Sequence, residues 1–417
     1  MGPTLLLDKS ALESLSVDES VWLDMFFGAN ITPLLYVETL ADLEKSDKTG
    51  RSGEKSVADL AGKTPTNATF PNAHHHGIIL QDLLGNTPPM DTHQVPISAG
   101  QVKRDPVGKL GVHVDEFPEQ AALNRWFSGE FSEIERKYAK AWREGLNNHD
   151  PTTTMDWVGN IVPTGRKFST VEDVKAFCDE FVKSAGFPIL DFCMELLGVP
   201  EDLKPLVRRR YTHLGEPFLE DFAPYAAFVL KVEIFYYLCL RSSFISKDRA
   251  SNKADIAYLY YLPFCHVFIS KDNLHKRVAR LFMEHGQRFV DADDLKKALK
   301  EADEYYSQFS SEIEEVGLMR YVGYPSPALN NLITELWDEF MRPDWRDIES
   351  ERGSGRDDMP SDAEIVAKLK KTHEEAEVVQ GVVDTAEIDY AMVSRMASVR
   401  KGKWRIMPPG IENENAK

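Results

Sequence analysis

Two short apolar segments, far apart in the chain, each end in an aspartate. LLL at 5–7 is followed by Asp8, and VFIS at 267–270 is followed one residue later by Asp272. Apolar runs of this length between polar residues are typical of buried strands. The carboxyl ends of the strands in an open α/β sheet line a crevice, so we expect both aspartates at one rim of such a sheet. The pattern therefore predicts an α/β fold.

Two more carboxylates lie on helix faces that the surrounding sequence marks for the core. Glu38 belongs to a helix predicted over 31–45 and lies one turn from Leu34 and Leu35, on the same side of that helix. Asp255 opens the helix that leads into the second strand. Carboxylates held close together repel each other and tend to bind protons, unless a hard cation such as Mg²⁺ neutralises them. The four acids together suggest metal-assisted phosphoryl chemistry.

Each of these carboxylates also has a simpler interpretation. Asp8 and Asp272 can cap the helices that follow them. Asp255 can lie near a helix N-terminus because the helix dipole favours negative charge there, and Glu38 can pair with a neighbouring lysine. Taken singly, the simpler interpretation is the better one for each residue. If all four had only these simpler roles, four separate coincidences would be needed to place them in this one topological order. The set as a whole therefore favours a shared site.

The composition limits the kind of protein this is. With 417 residues, 42% of them hydrophobic and 28% charged, the chain can bury a large core in two or three structural units. A net charge of −18 argues against non-specific coating of nucleic acid, but it does not exclude a local basic groove. No apolar run reaches the length of a membrane span, and the first leucines lack the basic flank of a signal peptide. We expect a cytoplasmic protein that does not engage a membrane.

Changes in sequence character divide the chain into regions. Residues 46–115 are rich in Pro, Gly, Asn and His with little periodicity, which predicts a long connection. The segment after Pro224 is apolar almost all round and predicts a buried helix. Four widely spaced cysteines predict reduced core thiols. The predicted regions are a discontinuous core of 1–60 and 225–345, a loop-rich and helical insertion of 61–224, and a linker, polar helix and tail in 346–417.

The order of the acidic residues resembles the PIN-domain-like nuclease family. The resemblance rests on Asp8 with Ser10 after the first strand, Glu38 in an early helix, and the segment NKADIAYLYYLPFCHVFISKDNLH, which contains Asp255 and Asp272. It covers residues 1–45 and 225–300. It implies a Rossmann-like α/β/α sandwich with a mainly parallel sheet, interrupted here by a large and mainly helical insertion.

The resemblance also implies a function and a set of roles. Asp8, Glu38, Asp255 and Asp272 would bind Mg²⁺ or Mn²⁺ and catalyse hydrolysis of a phosphodiester bond, as in an endoribonuclease, with RNA favoured over DNA. The Ser10 hydroxyl would steady the first carboxylate. The other supporting candidates are Asp42, Ser270 and His275. The chain departs from the family in the more than two hundred residues between Glu38 and Asp255, and in Leu274, where many members carry another acid.

Basic and histidine-rich segments are weaker candidates. Lys9 and Lys271 flank the acids and can contact a substrate phosphate, although simple charge balance is the favoured role. Arg208, Arg209 and Arg210 can bind phosphates or form an exposed helix face balanced by acids, and the second interpretation is slightly favoured. For HHH at 74–76, a loop or substrate-facing role is favoured over a zinc site completed by His93 and His113. The tail segment VRKGKWRIMPP at 399–409 can bind phosphate, dock a partner or pack on its own domain.

Other enzyme classes fit the sequence less well. A haloacid dehalogenase phosphatase needs a second aspartate two places after Asp8, where this chain has Ser10. Neither a P-loop nor a GxSxG segment occurs. The open alternatives are a catalytically silent PIN-like scaffold or interaction protein, and a DNA-directed nuclease or other metal-dependent phosphohydrolase. A regulatory protein partner is a further possibility in either case.

Overall fold

Short strands form one central sheet and a smaller peripheral sheet. The computed structural model describes residues 2–45, 52–67, 69–98, 100–114, 116–148, 150–184, 186–352, 362–381, 387–393 and 398–408. The strands are β1 Thr4–Leu7, β2 Gly28–Ile31, β3 Thr69–Pro71, β4 Gln101–Arg104, β5 Leu110–Val114, β6 Val267–Ser270, β7 Arg288–Asp291, β8 Glu377–Val378, β9 Tyr390–Val393, β10 Arg400–Lys401 and β11 Trp404–Arg405.

The helices make up most of the described chain. The α-helices are α1 Lys9–Ser14, α2 Val17–Phe26, α3 Pro33–Leu40, α4 Gly53–Lys63, α5 His75–Leu84, α6 Pro118–Phe127, α7 Glu133–Asn147, α8 Thr152–Gly159, α9 Val171–Val182, α10 Phe187–Leu196, α11 Lys204–His213, α12 Leu219–Phe222, α13 Pro224–Arg241, α14 Asn252–Ala257, α15 Asn273–Val278, α16 Ala292–Tyr306, α17 Ser310–Val316, α18 Leu318–Tyr321, α19 Leu332–Phe340, α20 Trp345–Arg352 and α21 Asp362–Glu375. Turns of 3₁₀ helix occupy Ala41–Glu44, Tyr258–Phe264, Ala279–Leu281, Ser307–Phe309 and Pro327–Leu329.

The central sheet is parallel and its strand order reverses in the middle. The order is β3-β2-β1-β6-β7, and each neighbouring pair is parallel. The chain moves outward from β1 to β3, returns to pair β6 with β1, and then moves outward again to β7. In such sheets the crevice at the carboxyl ends of the two central strands is the usual ligand site. Here those strands are β1 and β6.

Alternation along the strands divides the apolar residues between two cores. Leu5, Leu7 and Ile269 belong to a core with α2, α16 and α19. Leu6 and Phe268 belong to the opposite core, which contains most of α13. Successive strand residues point to opposite faces, so the sheet is covered on both sides. The architecture is α/β, as the sequence predicts, and it is compatible with the Rossmann-like α/β/α sandwich that the resemblance implies.

Helices from the predicted insertion cover one face of the sheet. The apolar segment after Pro224 is α13, which is buried along nearly its whole length as predicted. Helices α5, α9 and α10 contribute to the same core. The four cysteines are free and buried, as expected for core thiols. Among the described helices, none combines the length and apolar character needed to cross a membrane.

The prediction for residues 46–115 as a long, irregular connection is wrong for the part that is described. This part contains α4 and α5, and β3 pairs with β2 as the edge of the central sheet. The sheet therefore continues past residue 60, where the predicted core segment ends. β4 and β5 form the small sheet with β8 and β9. Most of the predicted linker, residues 353–361, lies outside the described residues.

Several predicted boundaries shift for identifiable reasons. The helix predicted over 31–45 is α3 followed by a 3₁₀ turn. The helix predicted to begin at Asp255 is α14, which begins at Asn252 and continues after Ala257 as a 3₁₀ turn that contains Pro263. Asp272 caps the first turn of α15. Asp8 and Asp272 therefore still follow β1 and β6, while Glu38 lies in α3 and Asp255 in α14.

Candidate active site

Asp8 lies at the carboxyl end of β1 and caps α1. Its carboxylate accepts a hydrogen bond from the Ala11 backbone N–H at 2.8 Å, and the Ser10 hydroxyl lies 2.9 Å from both carboxylate oxygens. The Asp8 side chain is almost completely buried. The capping role weighed from the sequence is therefore real. It holds the carboxylate at the strand end with a fixed orientation.

Ser270 and His275 connect β1 to β6 through the same carboxylate. The Ser270 hydroxyl donates to Asp8 Oδ2 at 2.5 Å. His275 Nδ1 lies 2.7 Å from that hydroxyl and 3.2 Å from Asp8 Oδ2, and His275 Nε2–H donates to the Asp255 carbonyl at 2.6 Å. Burial alone would lower the pKa of His275, but hydrogen bonding and charge from Asp8 outweigh it and raise the pKa. The buried imidazole thus supports Asp8.

Glu38 projects from α3 toward the same rim. The Tyr258 hydroxyl donates to Glu38 Oε2 at 2.6 Å. Burial raises the pKa of Glu38, and the negative charge of Asp8 adds to this, against the lowering effects of Tyr258 and Lys9. Glu38 is therefore a desolvated carboxylate whose hydrogen-bond donor is Tyr258. The alternative role, a pairing with a neighbouring lysine, does not supply this hydrogen bond.

Asp255 and Asp272 lie on either side of one guanidinium. Arg249 Nη2 is 2.9 Å from Asp272 Oδ2 and 3.3 Å from Asp255 Oδ2. Burial raises the pKa of Asp255 to about 7, and the negative charges of Asp272 and Glu38 act in the same direction. Burial would also raise the pKa of Asp272, but hydrogen bonds from Arg249 and the Leu274 N–H lower it. The two acids are therefore electrostatically unequal.

One carboxylate oxygen of Asp255 is buried without a hydrogen bond from the described residues. This oxygen is Oδ2, and Arg249 lies within ion-pair distance of it. A buried carboxylate oxygen without a hydrogen bond is costly. Within the described part of the chain, no group of three or more His, Cys, Asp or Glu side chains has the spacing of a metal site. Arg249 is the cation that the Asp255 and Asp272 carboxylates share.

The four predicted carboxylates converge on one rim of the sheet. Asp8 raises the pKa of Glu38, and both Glu38 and Asp272 raise that of Asp255. Contacts also link them: Tyr258 hydrogen-bonds to Glu38, His275 contacts Asp8 and the Asp255 carbonyl, and Arg249 pairs with both Asp255 and Asp272. Asp8 and Asp272 follow β1 and β6, where the strand order reverses, and Glu38 and Asp255 reach this point from α3 and α14. The structure therefore brings these four residues together at this end of the sheet.

Asp42, a predicted supporting residue, fixes Lys9. Its buried carboxylate pairs with Lys9 Nζ at 2.6 Å, Lys45 Nζ at 2.9 Å and Arg143 Nη2 at 3.4 Å. Lys9 is the first residue of α1 and also lies 3.4 Å from Glu13. The charge-balance role favoured for Lys9 agrees with these contacts. Asp42 influences the rim through Lys9.

The remaining basic candidates face protein groups. Lys271 pairs with Asp293 at 2.7 Å, and Arg208 pairs with Asp191 at 2.9 Å. The Arg210 side chain turns inward and donates to the Leu83 and Phe222 carbonyls at 3.1 and 3.2 Å. A substrate-binding role for Arg210 is therefore wrong, because the buried carbonyls already occupy its guanidinium. Arg209 is exposed.

Two residues with direct contacts to the acids were not singled out from the sequence. Tyr258 follows Asp255 by three positions, which places both on one side of α14 and its continuation, and this spacing is the signal that could have found it. Arg249 lies in the irregular segment between α13 and α14. Its contacts to Asp255 and Asp272 depend on the path of that segment. No periodicity in the sequence marks Arg249.

The histidines considered for a zinc site have different neighbours in the structure. His75 packs on Tyr260 and Tyr261, while His76 Nε2 lies 3.1 Å from the Gly198 carbonyl. His93 contacts His266 through ring nitrogens 3.3 Å apart. His113 lies beside His373 and Tyr390 in the small sheet. The zinc site considered for 74–76 with His93 and His113 is therefore wrong, since these rings have different neighbours.

The geometry at the rim is thus a set of four carboxylates supported by Ser10, Ser270, His275 and Tyr258. Oxygen donors of this kind suit a hard divalent cation. Comparisons of the chain with protein-family models, with curated proteins and with solved structures find no match.

Proposed function

We propose that the chain is a metal-dependent nuclease of the PIN-like kind that hydrolyses phosphodiester bonds. One observation carries the proposal: Asp8, Glu38, Asp255 and Asp272 converge at the carboxyl ends of β1 and β6, and burial with mutual repulsion raises the pKa of two of them. Perturbed carboxylates in a crevice are typical of functional sites. The preference for RNA over DNA follows the family that the sequence resembles.

The donor types suit Mg²⁺ or Mn²⁺, although among the described residues no three such side chains have metal-site spacing. All four side chains offer carboxylate oxygens, and Asp255 Oδ2 is buried without a hydrogen bond from the described residues. Such oxygens are the preferred ligands of these ions. When bound, the ion would supply an activated water and stabilise negative charge on a phosphate.

The surrounding residues orient the carboxylates. Ser10 and Ser270 donate to Asp8 and leave little freedom for its carboxylate to rotate. His275 contacts the same Asp8 oxygen as Ser270, and the Tyr258 hydroxyl donates to Glu38. Preorganisation of this kind keeps charged groups in place during reaction. These four residues are therefore positioning residues in the proposed mechanism.

Arg249 competes with a metal ion for Asp255 and Asp272. Its side chain is about half exposed, so it can leave the two carboxylates for solvent at modest cost. A divalent cation between the same oxygens would repel the guanidinium. Metal binding in the proposed nuclease therefore requires Arg249 to move, or to turn toward the substrate phosphate.

A catalytically silent scaffold is the second candidate, and specific observations favour it. Asp8 already accepts hydrogen bonds on both oxygens, and Arg249 already balances Asp255 and Asp272. Within the described residues, no group of three or more acids, histidines or cysteines has metal-site spacing. In this alternative the ion pairs stabilise the fold and the surrounding helices present a binding surface.

A cleavage assay separates the two candidates. Labelled single-stranded RNA, single-stranded DNA and duplex DNA are incubated with Mn²⁺ and wild type, Asp8→Asn or Asp272→Asn, and exposed Asp221→Asn serves as a matched control. We expect cleavage of single-stranded RNA that falls at least about a hundredfold in the first two variants and is unchanged in the control. Cleavage unaffected by both substitutions would remove the nuclease assignment. Metal binding without cleavage of any substrate would favour the scaffold.

A further inference from the structure

A cavity of about 390 Å³ lies next to the carboxylates. Helix α3 lines the cavity with Leu34 and Val37, and Val37 precedes Glu38 in sequence. Helix α14 lines it with Ala254 and Ala257, which flank Asp255 closely. Neighbouring Cα atoms are about 3.8 Å apart, so the cavity and the carboxylate rim share two helical walls.

The lining of the cavity is rich in flat rings. Tyr260 and Tyr261 form a buried floor, and the His75 ring lies 4.8 Å from that of Tyr260. Trp142 and Tyr138 of the amphipathic helix α7 add two more rings to the lining. Aliphatic side chains of Ile79, Leu197 and Val229 also line the cavity. Such walls suit a flat and largely apolar ligand.

One end of the cavity is polar. Glu233 is buried, and its carboxylate accepts hydrogen bonds from Lys253 and from the Tyr260 hydroxyl. The Lys253 ammonium also lies over the rings of Tyr236 and Tyr237, about 5 Å from each centroid. This end therefore offers both donors and acceptors beside aromatic surface. A few polar groups in an otherwise apolar cavity orient a ligand.

We propose that this cavity binds an unpaired nucleobase of a single-stranded nucleic acid. A nucleobase combines flat faces, which would stack on the rings, with a hydrogen-bonding edge, which would meet Glu233 and Lys253. The cavity volume lies in the range of about 300–1,000 Å³ that ligand sites occupy. The inference deepens the proposed nuclease function and rests on it for the identity of the polymer.

The shared walls give the proposed site a role in substrate choice. A base held against α3 and α14 would keep its own or an adjacent phosphate close to Glu38 and Asp255. A base inside a duplex cannot enter, because it is paired and stacked. The enzyme would therefore select single strands by capturing a base, without a basic groove along the backbone. This accords with the ion-paired state of Lys271 and Arg208.

Binding without cleavage tests the inference. Fluorescence anisotropy in EDTA compares a short labelled single-stranded RNA with its duplex and with an equally long oligomer whose bases are replaced by hydrogen. Trp142→Ala removes an aromatic wall, and Leu196→Trp fills the cavity from α10. Trp157→Ala is the matched control, because Trp157 is a partly exposed tryptophan that stacks on Phe192 outside the cavity. Thermal melting verifies that each variant is folded.

We expect wild type and Trp157→Ala to bind the single-stranded RNA about tenfold more tightly than the base-free oligomer. Trp142→Ala and Leu196→Trp should lose that preference. Equal affinity of the wild type for both oligomers, binding of neither, or full preference in both cavity variants would overturn the inference. The cleavage assay tests the proposed nuclease function separately from this binding experiment. A protein that prefers the base-bearing strand but never cleaves it would support the base site and contradict the nuclease function.

Discussion

At the residue scale, burial strongly perturbs the titration of Asp255. Burial and the charges of Asp272 and Glu38 raise its pKa to about 7 from 3.8. Between these pH values the folded protein holds a proton that the unfolded chain has released. Folded-state proton binding of this kind makes stability fall as pH rises through that window. Glu38 also has a raised pKa and acts in the same direction.

Asp255→Asn should therefore change the pH dependence of stability. The amide stays neutral, so we expect the variant to be more stable than wild type at about pH 8, by about 2–4 kcal/mol. The difference should shrink toward about pH 3, below the ordinary pKa of the aspartate, where wild-type Asp255 is protonated in both states. Urea unfolding across this range gives the free energies. A variant that is equally or less stable than wild type at the higher pH would contradict the account of Asp255.

Arg249→Ala should expose the competition between the guanidinium and a metal ion. The substitution removes the positive charge from between Asp255 and Asp272. We expect Mn²⁺ affinity, measured by titration calorimetry, to rise about tenfold, which corresponds to about 1.4 kcal/mol. Arg249→Lys keeps the charge and serves as the control. An affinity equal to that of wild type would show that Arg249 does not occupy the cation position.

The sequence pointed to the acids and to the Asp8 partners Ser10, Ser270 and His275, but not to Arg249 or Tyr258. Asp8 and Asp272 were predictable because each follows an apolar run, and Glu38 because it interrupts an apolar helix face. Arg249 was not predictable, since an irregular segment carries it to the rim. Tyr258 lies in an apolar stretch with several other aromatic residues, so the sequence alone does not distinguish it. Only the contact of its hydroxyl with Glu38 shows that it belongs to the site.

At the element scale, the apolar content of each strand explains which strands could be predicted from the sequence. β1 and β6 are buried on both faces and read as continuous apolar runs. β2 has the sequence GANI and β7 has RFVD, so neither forms such a run. β3 ends in a proline at the edge of the sheet, where a missing N–H is tolerated. These three strands depend on pairing rather than on local pattern.

The C-terminal segment around β10 and β11 is part of the core on the α2 side of the sheet. Trp404 is buried, its ring centroid lies 5.0 Å from that of Trp22, and both indole N–H groups donate to Asp303. Of the roles considered for this segment, these contacts agree with packing on its own domain. Its basic residues Lys401 and Lys403 also turn to protein oxygens.

Trp404→Ala should reveal how much this segment stabilises the fold. Truncation of a buried tryptophan costs about 3–5 kcal/mol, and the loss here would also leave Asp303 with one fewer donor. Val399→Ala, at a partly exposed position in the same segment, should cost less than about 0.5 kcal/mol. Chemical unfolding gives both values. Equal effects of the two substitutions would indicate that the segment is only loosely attached.

At the scale of the whole molecule, the site exists because the strand order reverses between β1 and β6. Residues more than two hundred positions apart meet there after the helices of the insertion have packed on one face of the sheet. Local sequence patterns predicted an α/β fold and a common rim. They could not predict the order of the five strands, since pairing between distant strands leaves no local signal.

Crystals of the protein grown with Mn²⁺ at about pH 8, above the raised pKa of Asp255, would show whether the four carboxylates bind a metal ion. We expect an anomalous difference peak at metal–oxygen distances of about 2.0–2.6 Å from carboxylates among Asp8, Glu38, Asp255 and Asp272, with the Arg249 guanidinium displaced. A map with no peak between these side chains, and with Arg249 still bridging Asp255 and Asp272, would rule out the proposed metal site.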